Sequence, residues 1–102
     1  MKLLVVTCLK EYQDEVAKIF HQAHVYVFSV TDIMGFKEND AVNMLDEWFA
    51  AGKERFDSIL LFSFTANEHA DQVVELVNSH NTKEAMQFPI RAFVMPVDTF
   101  SN

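Results

Sequence analysis

Cysteine is almost absent from this chain of 102 residues, which contains only Cys8. An internal disulfide is therefore excluded, and a lone thiol fits a reducing compartment. The strand-like run after Met1 and Lys2 is too short and wrongly flanked for a signal peptide. No run approaches the ~20 apolar residues of a membrane-spanning helix. We therefore expect a cytoplasmic protein without direct membrane insertion.

Positive charge is also scarce. The chain has 8 Lys and Arg residues against 15 Asp and Glu residues, and its net charge is −7. After Arg55, only Lys83 and Arg91 are basic. Nucleic-acid binding needs Lys and Arg to neutralise phosphates, so the sequence argues against a nucleic-acid partner.

Apolar residues make up 50% of the chain, whose length fits a single domain over residues 1–102. Four apolar runs predict strands over 2–9, 24–36, 58–64 and 90–97. Helical spacing after the first and third strands predicts two core-facing helices. Their apolar stripes are Tyr12, Val16, Ile19, Phe20 and Ala23, then Ala66, Ala70, Val73, Val74 and Val77. With right-handed crossovers this order gives an α+β fold, a four-stranded antiparallel sheet with both helices on one face.

Both faces of this sheet are predicted to be apolar. Alternate residues of the first strand, for example, are Leu3 and Val5 on one side and Leu4 and Val6 on the other. Two helices cover one face, which leaves about ten large apolar side chains on the other, more than a soluble monomer usually exposes. We therefore expect a homo-oligomer joined through its sheets. The alternative is a third layer made from the same chain.

The hairpin between the second and third strands holds a long insert, residues 37–57. Asn39 or Asp40 can begin a helix there and Gly52 can end it. Its predicted apolar stripe is Val42, Leu45 and Phe49, broadened by Met44 and Trp48. The predicted partner-binding residues are Val42, Leu45, Trp48 and Phe49. This helix is expected either to dock on the sheet or a neighbouring subunit, or to recognise a target protein.

An ordered set of short motifs runs along the chain. A first strand leads to Lys10, the pair Glu15 and Val16, and the run SVTDIMGF. Later come ILLFSFTANEHADQVVELV and the closing IRAFVMPV. This set resembles the PII signal-transduction family and its PII-like relatives, closely over residues 1–36 and more loosely over 56–97.

The resemblance implies a ferredoxin-like βαββαβ fold and a homotrimer whose sheets face a central axis. It also implies a non-enzymatic regulator that acts on a partner protein, such as a membrane transporter, through the insert, which corresponds to the T-loop of the family.

The resemblance further implies adenine-nucleotide or small-molecule binding between subunits. The matching positions are Ser29, Gly35, Phe36, Lys37 and Arg91. The sequence KEAMQFP replaces the Gly-rich turn that precedes the family's phosphate-binding position. Without glycine the backbone cannot approach a phosphate closely, so the implied site is degenerate and no resident cofactor is expected.

No catalytic constellation stands out, so the chain is not expected to be an enzyme. Cys8 lies within an apolar strand and is predicted to be an inert core thiol. His21 and His24 have a spacing that zinc or copper could use, but a pair supplies only two ligands, and no metal site is expected. Two alternatives stay open: a CutA-like trimer that binds divalent cations, and a small dimeric α+β barrel.

Overall fold

The strands and helices follow one another along the chain in the order βαββαβ. The computed structural model describes residues 1–36, 55–84 and 88–101. Its elements are β1 (Lys2–Leu9), a 3-10 turn (Lys10–Tyr12), α1 (Gln13–Gln22), β2 (Ser29–Phe36), β3 (Arg55–Thr65), α2 (Asn67–Glu84) and β4 (Arg91–Pro96).

The four strands form one antiparallel sheet in the order β2-β3-β1-β4. Val6 lies opposite Leu61 of β3 and Ala92 of β4, and Val30 of β2 lies opposite Leu61. The two strands that α1 connects are therefore separated by β3, and the two that α2 connects by β1. This is the predicted ferredoxin-like α+β fold. The predicted helix of the insert falls mostly on residues 37–54, which lie outside the described residues.

The core lies between the two helices and one face of the sheet, here called the covered face. The sheet contributes Leu4, Val6, Ile59 and Leu61, none of which is accessible to solvent. The helices contribute Val16, Ile19, Phe20, Val73 and Val77. Most residues of the two predicted apolar stripes are therefore buried, because residues three and four apart share one helix face. Ala66 is the exception, since it is exposed and precedes α2.

The second strand begins later than predicted, at Ser29 instead of residue 24. The amide of His24 donates to the carbonyl of His21 over 3.1 Å, and that of Val25 donates to the carbonyl of Phe20 over 2.8 Å. These bonds form a Schellman motif that ends α1. His24 occupies its left-handed position at φ 63°, where glycine is usual and another residue costs roughly 1 kcal/mol. The carbonyl of Val27 accepts a 2.6 Å hydrogen bond from Ser63 Oγ, which joins this segment to β3.

The second helix extends further than the sequence indicates. The predicted apolar stripe of this helix ends at Val77, but α2 continues to Glu84, into the run KEAMQFP. The amide side chain of Asn81 donates to the carbonyl of Ile90 over 2.8 Å and accepts from the amide of Ile90 over 3.0 Å. This two-point contact fixes the start of β4 against the helix. No helix in the described part of the chain is long and apolar enough to cross a membrane.

Candidate functional site

The second face of the sheet, here called the open face, has no described helix packed on it. Strand register places on it Leu3, Val5, Leu60, Phe62, Phe64, Phe93 and Met95. Two of these side chains are well exposed, Phe64 at 57% and Met95 at 40%. The part of the open face that these side chains form is therefore strongly apolar, as the alternation of residues along the strands predicts.

The half of the open face nearer the insert is more polar. Thr31, Thr7 and Arg91 share one row across the sheet, with Leu60 between the two threonines. Ser58 lies in the adjacent row, opposite Ile33 and Leu9. Thr7 and Ser58 are buried, at 3% and 5% exposure. The open face is therefore divided into an apolar half and a half that carries hydroxyl groups and one guanidinium group.

The residues matched to a nucleotide site do not converge within one chain. Ser29 and Gly35 lie on the open face of β2, at one edge of the sheet, whereas Arg91 lies on β4, at the opposite edge. Three strand spacings separate these edges, or about 14 Å. Phe36 points to the covered side of the sheet and is 62% exposed. Lys37 lies outside the described residues.

The insert leaves the sheet from two paired strands. Phe36 of β2 lies opposite Arg55 of β3, the last pair of the hairpin ladder. The partner-binding residues proposed from the sequence, Val42, Leu45, Trp48 and Phe49, all lie outside the described residues.

A groove of about 670 Å³ runs along the outer edge of β4. It is lined by Asp71, Val74, Glu75, Ala92, Phe93, Val94 and Met95. Neighbouring residues of β4 point to opposite faces, so the groove includes the strand edge itself. Phe93 and Met95 connect it to the apolar half of the open face.

Four side chains meet where α1 ends and α2 begins, and we call them the histidine corner: His21, His24, Tyr26 and His69. The ring centre of Tyr26 lies 5.4 Å from that of His21 and 5.8 Å from that of His24. The ring centres of His24 and His69 are 5.9 Å apart. Within the described ranges, no group of three or more His, Cys, Asp or Glu residues is arranged to hold a metal ion.

His69 is the member of this corner that the sequence did not predict. It lies 45 residues after His24. Successive β-α units with antiparallel strands place the end of α1 beside the start of α2, and this brings the two imidazoles together. Spacing along a single helix can reveal only nearby pairs such as His21 and His24. The rings of these two residues both lie beside the ring of Tyr26.

Cys8 lies on the covered face and is 6% exposed. Burial, and then the nearby Glu15 carboxylate, raise the pKa of its thiol from 9.0 to about 12. The thiol therefore stays protonated at neutral pH, and thiols of this kind are poor nucleophiles. The predicted core position of Cys8 is confirmed.

Comparisons with known proteins support the fold but do not assign a family. No family model matches the chain, and no curated protein matches it by sequence. Among solved structures, a candidate PII-like signaling protein of Thermus thermophilus is similar, with a TM-score of 0.62 and 12% sequence identity. The match covers 91% of this chain and 82% of that protein. At this identity the similarity concerns the fold.

Proposed function

We propose that this chain is a non-enzymatic regulatory protein of the PII-like kind, which acts in the cytoplasm. The observation that carries the proposal is the similarity of its fold, over 91% of the chain, to a candidate PII-like signaling protein. The ordered motifs from Lys10 to Phe36 support the same assignment, because they fall on the 3-10 turn, α1 and β2 of this fold.

The proposed assembly is a homotrimer in which the open faces point inward. Its support is the apolar half of the open face, where Phe64 and Met95 would otherwise remain in water. Fully burying a side chain of this size contributes about 1.5–3 kcal/mol. The sheet also has two different free edges, β2 and β4. A contact between different edges is heterologous and can close into a ring.

The same edge-to-edge contact would complete the ligand site. Arg91 on β4 of one subunit would come closer to Ser29 or Gly35 on β2 of the next, because β2 and β4 are three strand spacings, or about 14 Å, apart within one chain. The guanidinium group would bind a phosphate or another small anion. An adenine nucleotide is the first candidate ligand.

The insert is the proposed contact to a target protein, with a membrane transporter as one candidate. Its ends leave the sheet side by side at Phe36 and Arg55, at the same end as the polar half of the open face. A ligand held there would therefore lie near the base of the insert. Trp48 and Phe49 are large aromatic residues, a type that often anchors protein contacts.

Sedimentation velocity and calorimetric titration test these steps separately. We expect a trimer at micromolar concentration and micromolar binding of ATP, ADP or a cyclic nucleotide. Arg91→Ala should weaken binding at least tenfold, whereas Lys83→Ala, on the exposed end of α2, should leave it unchanged. A compact monomer would contradict the assembly. A trimer that binds none of these nucleotides would exclude only the ligand.

Trp48 tests the role of the insert, because it is the only tryptophan. If the insert serves a partner, Trp48→Ala should leave the trimer and its melting temperature nearly unchanged, and the emission of Trp48 should be that of a water-exposed indole. A large loss of stability would show instead that the insert is part of the folded core.

A further inference from the structure

The histidine corner holds two imidazoles whose ring nitrogens are oriented by hydrogen bonds. Nδ1 of His69 lies 2.9 Å from the carbonyl oxygen of Ala23. A carbonyl oxygen only accepts, so this ring nitrogen carries the proton and Nε2 keeps a free electron pair. A backbone carbonyl bonded to one nitrogen is a common way to orient a histidine whose other nitrogen binds a metal.

The second imidazole, that of His24, has a hydroxyl group as its hydrogen-bond partner. Its Nδ1 lies 2.6 Å from the hydroxyl oxygen of Tyr26. When Nδ1 donates to this oxygen, Nε2 of His24 is also free to bind. The backbone of His24 is fixed by the Schellman motif in the left-handed region, at φ 63°. This fixed backbone holds the His24 ring at the corner, with less conformational freedom than a residue in a flexible loop would have.

The spacing of the two rings is at the wide end of the range for a shared ion. Their centres are 5.9 Å apart and their planes make an angle of 74°. Two imidazoles that bind one ion at about 2.0–2.1 Å hold their ring centres roughly 5–6 Å apart. His24 is exposed and His69 is half-buried, so an ion can reach them from water. The net charge of −7 favours the approach of cations.

We propose that His24 and His69 form a two-imidazole site for a borderline divalent cation, with water completing the coordination. Tyr26 acts as a positioning residue through its bond to His24. Imidazole ligands suit Zn²⁺, Ni²⁺ and Cu²⁺, and affinity should be highest for Cu²⁺. Because two ligands bind more weakly than four, we expect a dissociation constant in the micromolar range or above. This site is independent of the proposed regulatory function.

Substitutions at the two histidines can separate loss of metal binding from loss of folded structure. In His69→Asn, the side-chain amide can still donate to Ala23, but the nitrogen that would bind the ion is lost. His24→Gly removes the second imidazole and suits the left-handed backbone, so the melting temperature should not fall. His80→Asn is the matched control, since it changes another histidine of α2 outside the corner.

Calorimetric titration with Zn²⁺ should show binding to the wild-type chain and to His80→Asn. His69→Asn and His24→Gly should each weaken it at least tenfold, and Tyr26→Phe by up to about tenfold. Imidazole-detected ¹H–¹⁵N NMR should show Zn²⁺ shifting Nε2 of His24 and His69 but not the nitrogens of His80.

Three results would overturn the assignment. One is no binding of Zn²⁺ at millimolar concentration. Another is binding that survives both His69→Asn and His24→Gly. The third is binding that His69→Asn and His24→Gly retain but His21→Ala loses, since this result would place the ion at His21.

Discussion

The two faces of the sheet are built from similar residues but have different environments. On β3, Leu61 lies on the covered face and is inaccessible to solvent, whereas the adjacent Leu60 lies on the open face and is half-buried. Apolar character therefore indicates that a surface has to be covered, but it does not say by what. The helices α1 and α2 supply the cover on one side, since both crossovers return over the same face.

The open face differs from the covered face in a second respect, its polar half. Thr7 and Ser58 are buried on the open face, and the covered face carries one buried hydroxyl of its own, Ser63, which donates to the carbonyl of Val27. A face used only for packing gains little from hydroxyl groups, because each needs a hydrogen-bond partner when buried. Buried hydroxyl groups therefore occur on both faces, and those of the open face lie at the end nearest the insert.

The largest expected effect belongs to the covered face. Leu61→Ala should destabilise the chain by about 2–5 kcal/mol, because it leaves a cavity in a packed core. Urea unfolding followed by circular dichroism measures the loss. This effect should not depend on protein concentration.

Leu60→Ala is the matched variant on the open face. Its cost should be smaller and should grow with protein concentration, since the side chain would be buried further only on assembly. Equal costs at every concentration would mean that both faces are covered within one chain.

A charge on the open face should break the assembly and leave the subunit folded. Phe64→Glu places a carboxylate at a side chain that is 57% exposed in the single chain. In a closed trimer this charge would be desolvated, so we expect association to weaken at least 100-fold, about 3 kcal/mol. Sedimentation velocity reports the change.

Val27→Glu serves as the control, because Val27 is apolar and 83% exposed but lies outside the strands. It should assemble like the wild-type chain. Dissociation of both variants to the same extent would show that the open face has no special role.

A pH-dependent effect is expected from the Cys8 thiol of the covered face. Its pKa is raised from 9.0 to about 12, so the unfolded chain loses this proton at lower pH than the folded chain. The unfolded state then binds fewer protons, and stability must fall as pH rises from about 9 towards 12. The slope from this group is at most about 1.4 kcal/mol per pH unit.

Unfolding curves of the wild-type chain and Cys8→Ala between pH 8 and about 11 measure this effect, since the two proteins differ only at this thiol. The two curves should converge as pH rises. Parallel pH profiles would show that the folded thiol ionises as readily as the unfolded one.

Much of the fold could be predicted because each signal is local. The stripe at Val16, Ile19 and Phe20 follows the helical repeat, and Leu4 and Val6 alternate with Leu3 and Val5 as the strand repeat requires. The predicted start of β2 failed where hydrogen bonds at the end of α1 decided the backbone path. Residues 24–28 are apolar enough for a strand, but the Schellman motif after α1 directs them away from the ladder.

The candidate sites show the same limit. Sequence resemblance pointed to Ser29, Gly35 and Arg91 without showing that they occupy opposite edges of one sheet. Their separation follows from the strand order β2-β3-β1-β4, which depends on pairing between distant segments. The partner of His24 in the histidine corner, His69, could not be found from spacing, because it belongs to another helix.

The sequence by itself determined the four strands and the two core-facing helices, most of the apolar side chains that these helices bury, and that the sheet has two apolar faces. These properties depend on the periodic placement of apolar residues within each segment. Tertiary structure decided which face the helices cover, where the polar half of the open face lies and which histidines meet. Each of these depends on register and packing between segments far apart in the chain, and no local pattern encodes it.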